Sequence, residues 1–80
     1  MTRQDVLRVV EEIVDLKPHT LVGGEILADL PGWDSMSTMV FIAMIDKEFG
    51  IPLQGGRVAR CKTADELIAL LGIASANQAA

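Results

Sequence analysis

This 80-residue sequence is poor in cysteine and in aromatic residues. It contains one cysteine, one tryptophan, two phenylalanines and no tyrosine. A single cysteine excludes an internal disulfide and is typical of a reducing compartment, so we expect a cytoplasmic protein. Because there is also only one histidine, the sequence has no Cys/His cluster and predicts no metal site.

The sequence also lacks an excess of positive charge and a long apolar segment. Eleven acidic residues against seven basic ones give a net charge of −4, whereas nucleic-acid-binding domains present basic surfaces. The apolar stretch Met39–Ile45 is far too short to cross a bilayer, and no signal peptide is recognisable. We therefore expect a monomeric single domain with no nucleic-acid partner and no membrane span.

Half of the residues are apolar, and their spacing predicts an all-α fold, a four-helix bundle. Helix one covers residues 2–16, with Thr2 and Asp5 at the spacing of a capping box and with Pro18 closing the helix. Its charged residues are expected on a solvated face: Arg8, Glu11, Glu12 and Asp15.

A long connection over residues 18–33 follows, and one helical turn is possible at 25–28. Four apolar residues should lie beneath it: Leu21, Ile26, Leu27 and Leu30. After helix two, a short third helix is predicted within 51–61, following Gly55-Gly56. The fourth helix should open with a Thr63/Glu66 capping box and end at Gly72. We predict a domain over residues 1–74 and a flexible tail over 75–80.

Helix two, over residues 34–49, is the most apolar helix, and Gly50 and Pro52 end it. Its apolar residues occur on two opposite sides, although one domain of this size has a single core. One side should face that core: Phe41, Ile42, Ile45 and Phe49. The other, called the Met-rich face below, is a predicted docking surface because methionine adapts to varied partners: Met36, Met39, Val40, Ala43, Met44 and Lys47. Overpacked core is the alternative interpretation.

The start of helix two is the place where the sequence predicts chemistry. After the turn Pro31-Gly32, Asp34 is a natural N-cap, and Ser35 then lies on the first turn, facing water. A helix N-terminus favours negative charge, so a phosphate on this serine would be well tolerated. Ser35 has no base nearby in the sequence, and its activation must come from another protein.

These residues resemble those of the acyl carrier proteins. The resemblance rests on Leu30-Pro31-Gly32-Trp33-Asp34-Ser35-Met36, on Asp46-Lys47-Glu48-Phe49-Gly50-Ile51 and on Cys61-Lys62-Thr63-Ala64-Asp65-Glu66-Leu67, and it extends from helix one to Gly72. It implies that Ser35 carries a 4′-phosphopantetheine arm, which a phosphopantetheinyl transferase attaches from coenzyme A. Asp34 and Met36 flank this serine in the motif, and Asp34 would also help the transferase to recognise it.

The resemblance further implies a carrier without catalysis of its own, which holds acyl groups as thioesters for acyl-loading and acyl-processing enzymes. Two departures favour a dedicated pathway, such as polyketide or other specialised assembly, over housekeeping fatty-acid synthesis. The exposed side of helix two, commonly acidic in fatty-acid members, is apolar here. The third-helix region, often acidic too, carries Arg57 and Arg60. Arg57 is therefore assigned to the partner-binding surface, although an ordinary solvated charge is the simpler interpretation.

Several residues have a plainer interpretation. Ser35 would be only a helix-capping residue in an unmodified protein. Trp33 is expected to anchor the loop rather than support the arm. His19 is expected on the surface, and Cys61 as a small buried apolar residue rather than a reactive thiolate.

Three other functions compete with the acyl carrier. A peptidyl or aminoacyl carrier usually has Gly-Gly before a hydrophobic residue and the serine, whereas Gly-Trp-Asp precedes Ser35 here. A hydrolase using Ser35 and His19 would need a nucleophile elbow, which the sequence lacks. A helical adaptor would bind a partner on the Met-rich face without any modification.

Overall fold

Four α-helices and one short 3₁₀ turn occur in residues 2–72, the part of the chain that the computed structural model describes. In chain order they are α1 (Arg3–Ile13), the 3₁₀ turn (Leu27–Asp29), α2 (Ser35–Phe49), α3 (Gly55–Arg60) and α4 (Ala64–Leu70). The predicted four-helix fold, with a long first connection and a short third helix, is confirmed. The predicted tail over 75–80 lies outside the described residues.

The helix α1 begins as predicted and ends earlier than predicted. Thr2 and Asp5 form the capping box, because each side chain accepts a hydrogen bond from the other's backbone N–H. The helix stops at Ile13, not at residue 16, so Pro18 does not close it. Instead, Asp15 adopts a left-handed φ of 60°, and the Leu16 N–H donates to the Glu11 carbonyl. Helices often end in this way, but the left-handed residue is usually glycine.

The core is formed by α1, α2 and α4, and α3 and the long connection contribute buried side chains to it. Its fully buried large side chains come from every helix and from the 3₁₀ turn: Val6, Leu7, Val9, Val10, Leu27, Phe41, Ile45, Val58, Leu67 and Ile68. Phe41 and Ile45 confirm the predicted core side of α2. The prediction for Ile26 is wrong, since 51% of it is exposed. It pairs with Thr63 in an isolated bridge, beside the Leu27 N–H bond to the Lys62 carbonyl.

The prediction that Glu11 lies on the solvated face of α1 is wrong. Its side chain is buried, and one carboxylate oxygen accepts a hydrogen bond from the Leu21 N–H at 2.8 Å. A buried carboxylate requires such a partner, because an unpaired charge in the interior is strongly unfavourable. Glu11 thus holds the long connection against α1.

A second set of contacts holds the same connection against the first turns of α1 and α4. Arg3 forms a salt bridge with Asp65 at 2.6 Å and also donates to the Val22 carbonyl. Asp65 N–H donates in turn to the Gly23 carbonyl at 2.8 Å. Gly23 has φ of 124°, and a Cβ here would collide with the Arg3 guanidinium and the Asp65 carboxylate. Only glycine fits this position without rearrangement.

The last two helices differ from the prediction in detail. Gly55 and Gly56 are the first residues of α3 rather than a segment before it. Thr63 caps α4 by accepting from the Glu66 N–H, as predicted. The Glu66 carboxylate, however, accepts from the Lys62 N–H at 2.6 Å instead of from the N-cap residue.

Candidate functional site

The N-terminus of α2 is built around Asp34. Its backbone is extended, and its carboxylate accepts a hydrogen bond from the Ser37 N–H at 2.9 Å, which confirms the predicted N-cap. This bond, and then a contact with the Ser37 hydroxyl at 3.1 Å, hold the pKa of Asp34 below its usual value of 3.8. Asp34 is therefore charged at neutral pH and fixes the first turn of the helix.

Ser37 is a site residue that the sequence analysis missed. It is buried, and its hydroxyl donates to the Gly32 carbonyl while lying near the Asp34 carboxylate. Gly32 has a left-handed φ of 91°, so the loop turns sharply just before the helix. Ser37 joins this turn to α2. The signal in the sequence is Asp-x-x-Ser, which places a hydroxyl at the N3 position where a capping box has Glu or Gln.

Ser35 is the first residue of α2 and is exposed. His19 is also exposed, as predicted, with a φ of 66° in the connection after α1. The two residues line different cavities: His19 lies with Asp5, Arg8 and Glu11, whereas Ser35 lies beside α3. The structure therefore does not bring His19 to Ser35 as a catalytic base would require.

A groove begins at Ser35 and runs between α2 and α3; we call it the α2–α3 groove. Its volume is ≈ 410 Å³. The walls are largely apolar and come from the loop before α2 and from both helices: Trp33, Asp34, Ser35, Thr38, Met39, Ile42, Gly55 and Ala59. Because α3 turns Gly55 and Ala59 towards α2, small residues keep this groove open.

A second groove, the α1–α2 groove, lies on the other side of the same helix start. Its volume is ≈ 490 Å³. The end of α1 and three residues of the Met-rich face form most of its walls: Glu12, Ile13, Asp34, Met36, Ser37, Val40 and Met44. Asp34 borders both grooves, so the start of α2 is the ridge between them.

Trp33 packs edge-on against Phe41, with the ring centroids 6.0 Å apart and the planes at 70°. This contact confirms that Trp33 anchors the loop to the core. Its ring also lines the α2–α3 groove and a further apolar cavity of ≈ 570 Å³ beyond Ala59, near Cys61. Trp33 therefore stands between Ser35 and the largest of these three cavities.

The Met-rich face is open to solvent except at Met44. Met36 is 73% exposed, Met39 68% and Val40 41%. Ala43 and Lys47 are exposed as well, whereas Met44 is half-buried and packs against the core. Arg57, the remaining residue assigned to partner binding, is exposed on α3 but is in the wall of neither groove.

Cys61 is half-buried rather than fully buried. Its thiol donates to the Arg57 carbonyl, with the sulfur and oxygen 3.5 Å apart. Burial, and then the nearby charge of Glu66, raise the pKa of Cys61 above its usual value. The protonated thiol is therefore favoured over the thiolate, despite the basic neighbours in the sequence.

Among the described residues, no three Asp, Glu, His or Cys side chains are grouped so that they could hold a metal ion. No helix within residues 2–72 is long and apolar enough to cross a bilayer.

Comparison with known proteins shows the family of this chain. A family model for the phosphopantetheine attachment site matches residues 4–71. The chain belongs to this family, that of the acyl carrier proteins. One solved structure, assigned as an acyl carrier protein from Mycobacterium tuberculosis, superposes with a TM-score of 0.74 at 17% identity. The match covers 88% of this chain and 93% of that one, and at this identity it shows the fold alone. The search of curated proteins found no significant match.

Members of the acyl carrier family are carriers rather than catalysts. Their cofactor is 4′-phosphopantetheine, attached covalently through the matched domain. They work with a phosphopantetheinyl transferase, which attaches this arm, and with acyl-processing enzymes. These features agree with what the start of α2 offers, an exposed hydroxyl at a helix N-terminus.

Proposed function

We propose that Ser35 carries the 4′-phosphopantetheine arm and that the protein holds acyl groups on this arm as thioesters. One observation carries the proposal. Of the two serines in residues 2–72, Ser35 is exposed at the first position of α2, whereas Ser37 is buried and bonded to Gly32. Of these two hydroxyls, only that of Ser35 is within reach of a transferase.

The surroundings of Ser35 fit such a group. A phosphodiester here would face the unpaired N–H groups of the first turn and the positive end of the helix dipole. The α2–α3 groove begins at this residue, and its apolar walls at Met39, Ile42 and Ala59 suit the uncharged part of an arm and its cargo. When attached, the group supplies the reactive thiol, while α2 and its groove orient and shield it.

The Met-rich face adjoins Ser35 and is proposed as the surface that partner enzymes recognise. Its exposed apolar side chains, above all Met36, Met39 and Val40, present the kind of patch that marks a protein-binding site. Ala43, Met44, Lys47 and Arg57 are proposed as further contacts. Because this face lacks acidic residues near Ser35, a dedicated polyketide or other specialised pathway is favoured over fatty-acid synthesis.

The attachment site can be tested by intact mass spectrometry. The protein is incubated with coenzyme A, Mg²⁺ and a broad-specificity phosphopantetheinyl transferase. We expect the wild type to gain the mass of one phosphopantetheine group and Ser35→Ala to gain none. Ser37→Ala is the matched control, since it removes the other hydroxyl of the same turn and should still be modified if folded. A folded wild type that several transferases leave unmodified would favour the unmodified adaptor instead.

The pathway needs a separate test. The double variant Val40→Glu/Met44→Glu introduces acidic residues into the Met-rich face, where fatty-acid members commonly have them. With holo-protein and malonyl-CoA, we expect a fatty-acid-pathway acyltransferase to load the double variant faster than the wild type. Equal loading would contradict the assignment to a dedicated pathway. Loading by an aminoacyl-activating enzyme, but by no acyltransferase, would support a peptidyl carrier.

A further inference from the structure

A cavity near the start of α4, which we call the loop cleft, is larger than the groove that begins at Ser35. Its volume is ≈ 570 Å³, against ≈ 410 Å³ for the α2–α3 groove. Lys62 and Glu66, which carry opposite charges, are part of its wall. The apolar part of the wall is formed by Ile26, Leu27, Ala28, Trp33, Ala59 and Cys61. The loop cleft therefore suits an uncharged and largely apolar ligand.

Part of this apolar wall is exposed to solvent although its backbone is held in place. Ile26 is 51% exposed. Its backbone pairs with Thr63 in the isolated bridge, and the next residue, Leu27, donates from its N–H to the Lys62 carbonyl at 2.8 Å. Covering exposed apolar surface is favourable, because that surface is removed from water. The loop cleft is thus a preformed surface on which an apolar group can bind.

The loop cleft adjoins the α2–α3 groove, because Trp33 and Ala59 belong to the walls of both. A group that follows the α2–α3 groove from Ser35 therefore reaches the loop cleft by passing these two residues. Trp33 is fixed, since its ring packs edge-on against Phe41. Ala59 is exposed on α3 and contributes only a methyl group. The passage between the two cavities thus depends on a small residue at position 59.

We propose that Trp33 and Ala59 are specificity-determining residues for the cargo: the passage beside them admits an uncharged acyl chain to the loop cleft, and its width limits the length of chain that the protein shields. The inference rests on the proposed function, because the cargo must be attached through Ser35. The thiol of a phosphopantetheine arm is at the end far from the serine. The α2–α3 groove therefore accommodates the arm first, and a cargo longer than the remaining space continues past Trp33.

The α1–α2 groove is a poorer place for such a chain. Ser35 is not in its wall, and the carboxylates of Glu12 and Asp34 both are. A chain placed there would have to cross the ridge formed by the start of α2 and would lie beside two negative charges. The route through the α2–α3 groove starts at Ser35 itself and leads to a wall in which the charges of Lys62 and Glu66 offset each other.

The test uses the protein loaded by the broad-specificity transferase from acetyl-CoA or octanoyl-CoA in place of coenzyme A. Trp33 is the only tryptophan in the sequence, so tryptophan fluorescence reports the passage alone. We expect acrylamide to quench the octanoyl form about twofold less than the holo-protein, because the chain covers the indole ring. The acetyl form should resemble the holo-protein. In NMR spectra, the octanoyl chain should shift the backbone amide signals of Ala28 and Cys61, which line the loop cleft.

Ala59→Leu narrows the passage with a good helix former at an exposed position of α3. Compared with its own holo-protein, the octanoyl form of this variant should show no shift at Ala28 or Cys61. Ala69→Leu is the matched control, because Ala69 is exposed on α4 and lines neither cavity. Its octanoyl form should behave like that of the wild type. Suberyl cargo has the same length as octanoyl but ends in a carboxylate, and it should protect Trp33 less.

Octanoyl cargo that leaves the Ala28 and Cys61 amides unshifted in the wild type would overturn the proposal, and so would equal shifts in Ala59→Leu and the wild type. Circular dichroism checks that the variants are folded. If Ala59→Leu is not, Ala28→Leu fills the loop cleft from its other side and should abolish the shift at Cys61. Failure of the proposed function is a different result, because the wild type would then not be loaded at all.

Discussion

The Glu11 carboxylate accepts a hydrogen bond from the Leu21 backbone N–H at 2.8 Å inside the protein. The residues between them contain the end of α1 and the first part of the long connection. The bond therefore fixes where this connection starts its path towards Ser35. Leu21 itself is buried beside it, so the polar contact and the apolar packing position the same residue.

Removing the Glu11 carboxylate should destabilise the protein. Glu11→Ala leaves the Leu21 N–H buried without a partner and should lower the free energy of unfolding by about 1–3 kcal/mol. Glu11→Gln should be milder, because an amide oxygen can still accept the bond. Urea unfolding followed by circular dichroism measures both. Glu12→Ala is the control, since the Glu12 side chain is about half exposed. Equal losses for Glu11→Ala and Glu12→Ala would show that the buried bond contributes nothing.

The N-cap of α2 should make stability depend on pH. The pKa of Asp34 is lower in the folded protein than its usual 3.8, because of the bonds from Ser37. The charged carboxylate therefore stabilises the fold above the unfolded-state value, and this contribution is lost as pH falls through the folded-state pKa. Asp34→Asn keeps a neutral cap but removes the charge.

We expect Asp34→Asn to lower Tm at pH 7 and to differ less from wild type at pH 3. Thermal unfolding at the two pH values measures this. Asp46→Asn removes an exposed carboxylate from the same helix and should show a smaller change with pH. If the Tm difference between Asp34→Asn and wild type is the same at both values, the charged cap is not what stabilises this helix start.

The adjacent glycines Gly23 and Gly24 should respond oppositely to alanine. A Cβ at Gly23 meets Arg3 and Asp65, and its φ of 124° is strained for any L-residue. Gly23→Ala should therefore cost more than about 1 kcal/mol of stability.

A Cβ at Gly24 would meet no atom of the described residues within 4 Å, and the φ of Gly24 lies outside the left-handed region. Gly24→Ala should be neutral or stabilise by up to about 1 kcal/mol. Chemical denaturation of the two variants side by side measures both changes in the free energy of unfolding. Similar decreases for the two variants would contradict the close approach of Arg3 and Asp65 to Gly23.

Cys61 should be a slow nucleophile. Burial, and then the charge of Glu66, raise the pKa of its thiol, and the thiolate is the reactive form. At about pH 8 we expect alkylation by iodoacetamide to be several-fold slower in the folded protein than in about 6 M urea. Glu66→Gln removes the negative charge that helps to raise the pKa of Cys61. It should therefore speed alkylation of the folded protein by about twofold. The chain has no other cysteine, so the rate reports this site alone. Folded and unfolded rates that agree would contradict a raised pKa.

The features that could be predicted from the sequence depend on residues close together along the chain. Thr2, Asp34 and Thr63 cap their helices as expected, because each cap bonds a residue three positions away. Gly50 ends α2 in the left-handed conformation for an equally local reason. These caps, with the apolar spacing, were enough to place Ser35 on the first turn of α2 and to establish a four-helix fold.

The remaining features depend on residues that only the tertiary structure brings together. Glu11 looked solvated because its helical position was polar, yet Leu21 reaches it from ten residues away. The early end of α1 involves an aspartate in a place where glycine would have been the signal. The Met-rich face appeared as one surface, whereas α1 borders Val40 and α3 borders Met39. Periodicity shows which side chains share a face of a helix, but what lies opposite that face depends on how the helices pack.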